Sequence, residues 1–176
     1  MAEEVLFLFS RSKVIFSFIA VTFFSLLFLT LAVLSLFYGN DLGVIVGTFF
    51  FFILFLAWID GFVFLKKCLS GVPALELTPT ALIDNINGIA FSWKDIEGFE
   101  EMKAYFGKGA TKKYIAISLY DEAKYLLLVR GWKKQLLAKL NGRFFGGPFS
   151  IETTAINEKR EFILETLRKF KENFSA

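Results

Sequence analysis

Polar positions are spread so unevenly along this chain that they divide it into three parts. Residues 14–37 carry no charged side chain, and these 24 residues in a helix rising about 1.5 Å each reach roughly 36 Å. That is enough to cross a hydrocarbon core of about 30 Å with some tilt. Gly39, Asn40, Asp41 and Gly43 then supply turn chemistry, and residues 44–65 form a second run of 22, broken only by Asp60. The pattern predicts two transmembrane helices joined by a tight turn, a membrane hairpin over residues 13–67. Ahead of it, the five apolar residues 5–9 are too few to span and read as a buried strand. Because the hairpin returns the chain to its starting side, this strand, within a segment 1–12, is placed to join the sheet of whatever follows residue 72.

After Pro73 the period shortens. Residues 74–78, 81–84 and 89–93 alternate or run apolar between turn signals, with Asn87-Gly88 marking one turn. Residues 94–105 and 113–120 read as a longer hairpin, with Gly107 and Gly109 in its loop and Ile115, Ile117 and Leu119 on one face. Five or six antiparallel strands result. Over residues 121–140, Tyr125, Leu128, Val129, Trp132, Leu136 and Leu140 recur at helical spacing, with Asp121 as N-cap and Asn141-Gly142 as stop. Residues 149–153 suit a further strand. Phe162, Ile163, Leu167 and Phe170 place a last helix over 158–170. The expectation is an α+β membrane protein whose domain at 73–176 stands on one side of the bilayer.

Composition sharpens this partition. Hydrophobic residues make up 55% of 176, above the range of soluble domains, and the excess lies before residue 66. Residues 1–72 hold four basic and four acidic groups, whereas residues 73–176 hold sixteen and thirteen. The net charge of +3 therefore belongs to the soluble part. It suits work beside anionic lipid and falls short of the basic footprint of a nucleic-acid binder. The chain starts with Glu3 and Glu4 and stays apolar too long for a cleaved signal, so the first helix is expected to be retained. Arg11 and Lys13 precede the first span, Lys66 and Lys67 follow the second, and the turn carries only Asp41. The positive-inside rule then puts both termini in the cytoplasm, in a multi-pass protein of the inner (cytoplasmic) membrane.

Candidate chemistry is sparse. With no histidine and one cysteine, the commonest general base and metal ligand are missing, and Cys68 alone builds neither a zinc site nor an internal disulfide. The Gly107-Lys108-Gly109 loop lacks the spacing of a phosphate loop, and no GxSxG elbow is present. Glu97, Glu100 and Glu101 read as a solvated strand face. No catalytic residue, cofactor or metal is therefore expected, and the chain does not read as an enzyme. Asp60 is the exceptional intramembrane charge. Its simplest reading is an interfacial carboxylate paired with Arg11 or Lys13, and the sharper one is a proton or ion site.

The segment GIAFSWKDIEGFE, with Trp93, Asp95 and Ile96 following a strand, resembles the bacterial pleckstrin-homology-like domains. The order of N-terminal strand, two-helix hairpin and such a domain is similar to a family of uncharacterised bacterial membrane proteins, over nearly the whole chain including FFGGPFSI at 144–151. The resemblance implies a pleckstrin-homology-like antiparallel sheet with a C-terminal helix. Lys103, Lys108, Lys112 and Lys113, interleaved with Tyr105, Phe106 and Tyr114, join charge attraction to aromatics that suit a lipid interface. A basic hairpin of this kind in such folds implies contact with phospholipid headgroups. Lys124, Arg130, Lys133, Lys134 and Lys139 add a second basic population. The first functional expectation is a non-enzymatic, membrane-anchored module that binds anionic lipid or a membrane protein partner. The alternatives are an immunity protein against a membrane-active toxin and an accessory subunit of a membrane complex. Nucleic acid is not an expected partner, and the sequence leaves the oligomeric state open.

Overall fold

A computed structural model describes residues 4–106, 110–128 and 149–174, with the side chains of residues 103–113 outside that description. The chain divides into two compact units, Ser10–Val72 on one hand and Met1–Phe9 with Pro73–Ala176 on the other.

The first unit is a pair of long helices. Helix α1 runs Arg11–Phe37 and α2 runs Asp41–Leu69. Between them Gly39 takes φ 65°, a left-handed conformation that suits glycine, and the Asn40 side chain accepts from the Gly43 amide at 3.1 Å to cap α2. The helices approach most closely where side chains are small. A Cβ on Gly47 would lie 2.9 Å from Ala32 backbone atoms, and one on Gly43 would meet the Ser35 side chain. Larger groups fill the other end of the seam. The Trp58 indole donates to Thr22 Oγ1 at 3.1 Å, and the Trp58 ring stacks on Phe55 and Phe62 and packs on Phe18. Outside this seam both helices are apolar and uncovered. Only 11% of the most apolar stretch of α1 and 6% of that of α2 is buried.

The second unit is α+β. Its strands are β1 (Val5–Phe7), β2 (Leu75–Leu77), β3 (Ala81–Asp84), β4 (Ile89–Ser92), β5 (Ile96–Phe106), β6 (Ala110–Leu119) and β7 (Phe149–Ile151). Among the described residues its α-helices are α3 (Glu122–Leu128) and α4 (Arg160–Phe174). Among the described residues these strands form two antiparallel sheets, β1-β2-β3-β4 and β5-β6-β7, where the sequence reading expected one. The division follows from a single-turn 3-10 helix at Trp93–Asp95, after which β5 enters with a register shift between Ile96 and Gly98. The turn is fixed by the Trp93 indole, buried and donating to the Thr78 carbonyl at 2.7 Å.

β1 precedes the helical pair in sequence and pairs with β2 after it, with Val5 opposite Leu77 and Phe7 opposite Leu75. The Ala74 amide donates to the Phe7 carbonyl at 2.7 Å, and the Asn157 amide to the Leu8 carbonyl at 3.1 Å. The core draws on alternate positions of both sheets: Phe7, Leu75, Leu77, Leu82 and Phe91 from the first, Ile96, Ile115, Ile117 and Ile151 from the second. The rings of Phe91 and Phe149 meet edge to face across the sheets, with centroids 5.2 Å apart. Helix α4 adds Ile163, Leu164 and Leu167. Its cationic side chains also reach the sheet, Arg168 donating to the Phe99 carbonyl at 3.1 Å and Lys171 to that of Glu97. These bonds satisfy carbonyls along β5, which is an edge strand of its sheet.

Residues 129–140 of the expected long helix lie outside the described residues, as do Arg130, Lys133, Lys134 and Lys139. The part described begins as expected, with Asp121 accepting from the Lys124 amide at 3.1 Å.

Candidate functional site

The basic hairpin is built from the two longest strands. Because β5 and β6 pair without interruption from Met102–Tyr114 to Phe106–Ala110, Lys103 stands directly opposite Lys113 and Ala104 opposite Lys112. Three of the four sequence-predicted lysines are thus brought to two neighbouring rungs of one ladder. The fourth, Lys108, lies outside the described residues. The register thus places the other three positions near the end of the hairpin.

A second constellation gathers where β4, the 3-10 turn and α3 meet. Asp95 Oδ2 accepts from Tyr125 Oη at 2.6 Å and from Lys124 Nζ at 2.7 Å. Tyr125 Oη in turn accepts from the Ser92 amide at 3.0 Å. Tyr125 is buried against Phe91, whereas the Lys124 side chain is half exposed. The hydrogen bond from Lys124, followed by that from Tyr125, holds the Asp95 carboxyl below its ordinary range. Burial, and then the same contact with Asp95, raises the Tyr125 phenol. The arrangement fastens α3 to the end of the first sheet. Asp95 carried the family resemblance in the sequence, but its partners, 29 and 30 positions away, left no local signal.

A third carboxylate serves the backbone. Asp84 is buried, and its Oδ1 accepts from the amides of Ile86 and Asn87 while Oδ2 accepts from the Asn87 side chain. This organises the β3–β4 turn, where Gly88 takes φ 74°. Of the three acidic residues on β5, Glu97 and Glu100 are exposed, and Glu101 lies 3.5 Å from Arg160.

Asp60 does not pair with Arg11 or Lys13. The α1–α2 seam sets Trp58 against Thr22 and Gly61 against Phe18, which brings Asp60 level with the middle of that stretch of α1. About seven residues then separate its level from Lys13, roughly 10 Å along the helix. It is exposed, and among the described residues nothing hydrogen-bonds or ion-pairs with it. Among the described residues no three Cys, Asp or Glu side chains gather as metal ligands. No protein-family model, curated protein or solved structure matches this chain.

Proposed function

We propose that this is a two-span membrane protein with both ends in the cytoplasm, whose α+β domain is a non-enzymatic binding module for anionic lipid headgroups or a membrane protein at that face. One observation carries the reading. Thirteen large apolar side chains of α1 and twelve of α2 are exposed, far more than a soluble protein presents, where the largest apolar patch is about 300–600 Å². Lipid is the solvent that such a surface fits. Arg11 and Lys13 at one helix end, and Lys66 and Lys67 at the other, support a common cytoplasmic side. Seven strands and a terminal helix among the described residues support a pleckstrin-homology-like domain. The neighbouring rungs that hold Lys103, Lys112 and Lys113 support an anionic target.

The test is lysine reactivity on the whole chain in lipid nanodiscs, read by mass spectrometry. Acylation of Lys103, Lys108, Lys112 and Lys113 is expected to slow when phosphatidylglycerol is added to phosphatidylcholine, and to recover at high salt. Reactivity indifferent to both would remove the lipid half of the proposal. Recovery of the chain alone from a mild-detergent pull-down would remove the protein half.

A further inference from the structure

The first sheet has one end joined to the long helices by short stretches of chain. Its terminal rung is Phe7, Leu75, Asp84 and Ile89. Leu8 stands three positions before Arg11, the first residue of α1, and five residues separate Leu69, the last of α2, from Leu75. At no more than about 3.6 Å per residue, the Leu8 Cα lies within roughly 11 Å of that of Arg11. Where α1 spans a bilayer, Arg11 and Lys13 mark the headgroup layer, which is about 5–8 Å deep on each side.

At this end the strand presents apolar groups outward. Phe7 and Phe9 are buried at 1% and 5% exposure, whereas Leu6 and Leu8 are each 50% exposed. A strand from another protein has little access here, because Phe9 bridges to Ile156 and the Leu8 carbonyl is taken by the Asn157 amide. The β3–β4 turn belongs to the same end, since the Asn85 amide donates to the Ala74 carbonyl at 3.1 Å.

We infer that the outward-facing leucines of β1 and the residue after it are a bilayer contact: Leu6 and Leu8 seat at the boundary between headgroups and acyl chains. The occupant is lipid because the chain holds Leu8 within roughly 11 Å of Arg11, and because Arg11 and Lys13 follow the leucines in sequence, while Lys66 and Lys67 in the last turn of α2 add the charge that anionic headgroups neutralise. The inference rests on the spanning of α1 and α2, and it names a contact separate from the lysine hairpin. It also assigns the leucines a task that folding leaves open, since neither is in the core.

The experiment uses single spin labels on the whole chain, in a Cys68→Ala background, in nanodiscs of phosphatidylcholine and phosphatidylglycerol. Labels replace Leu6, Leu8, Phe24 in α1, and Lys94, which is exposed at the opposite end of the first sheet. Power saturation compares access of oxygen with that of a water-soluble nickel chelate. The expected result is a Phe24 label open to oxygen and closed to chelate, a Lys94 label open to chelate, and Leu6 and Leu8 labels several-fold less open to chelate than Lys94. Chelate access at Leu6 and Leu8 equal to that at Lys94, with Phe24 still protected, overturns the contact and leaves the spanning helices standing. Chelate access at Phe24 overturns both.

Discussion

Replacing Phe7 by alanine tests whether the residues ahead of the helical pair are part of the domain that follows it. Phe7 is 1% exposed and meets the Phe162 ring of α4 edge to face at 6.3 Å. Truncating a buried phenylalanine costs about 3–5 kcal/mol, against a typical total of about 5–15 kcal/mol for a domain. At about 4 °C per kcal/mol for a domain near a hundred residues, the melting temperature should fall by roughly 12–20 °C. Leu6→Ala, one residue away and half exposed, should cost under about 1 kcal/mol in detergent, a shift of no more than roughly 4 °C. The assay is near-ultraviolet circular dichroism of both variants in mild detergent, where the packing of the buried Trp93 gives the signal. Equal melting of Phe7→Ala and Leu6→Ala would refute the inclusion of β1 in the domain's core.

Three further outcomes follow from other contacts. Gly47→Ala should loosen the α1–α2 pair, because its Cβ would stand 2.9 Å from Ala32 backbone atoms that cannot yield, whereas Gly61→Ala meets only the Phe18 ring at 3.4 Å. Energy transfer between labels on the two helices during titration with dodecyl sulfate should separate these variants. Tyr125→Phe removes the hydroxyl that joins Asp95 to the Ser92 amide, and should destabilise the domain by about 1–3 kcal/mol through the unsatisfied groups left behind, as read by chemical unfolding. Asp95 has a folded pKa depressed below the ordinary carboxylate value. Its contribution is therefore complete above the unfolded pKa, near 3.9, and is lost as pH falls through the lower folded value. The melting difference between native protein and Asp95→Asn should be constant from about pH 5 to 7 and narrow in stronger acid, and a difference unchanged at low pH would contradict the pairing.

Segments governed by their own residues were legible in the sequence. The apolar stretches announced α1 and α2 because lipid-length runs need no partner to be recognised, and the spacing of Phe162, Ile163 and Leu167 announced α4. Alternation at Ile115, Ile117 and Leu119 announced β6. The separation into two sheets was not legible, because it depends on Trp93 reaching the Thr78 carbonyl, a contact between two turns. The union of Asp95 with Lys124 and Tyr125 is hidden for the same reason, because its members stand 29 and 30 positions apart. Asp60 is a different case: the expected pairing with Arg11 or Lys13 is not made, because the helical seam at Thr22 and Trp58 sets it about two turns from Lys13. For the lysine hairpin, the backbone register adds to the sequence that Lys103 faces Lys113 and that Lys112 faces Ala104.

The central claim is that α1 and α2 cross a bilayer as a hairpin, with the connecting turn on one side and the α+β domain on the other. It is tested most directly by an Asn40→Cys, Lys94→Cys variant in the Cys68→Ala background, reconstituted into sealed liposomes and treated with a membrane-impermeant maleimide. Whichever way a molecule inserts, one site should be inside and the other outside. The account predicts a single adduct per chain by mass spectrometry, and two once detergent opens the vesicles. Two adducts in sealed vesicles would place the turn and the domain on the same side and contradict the account.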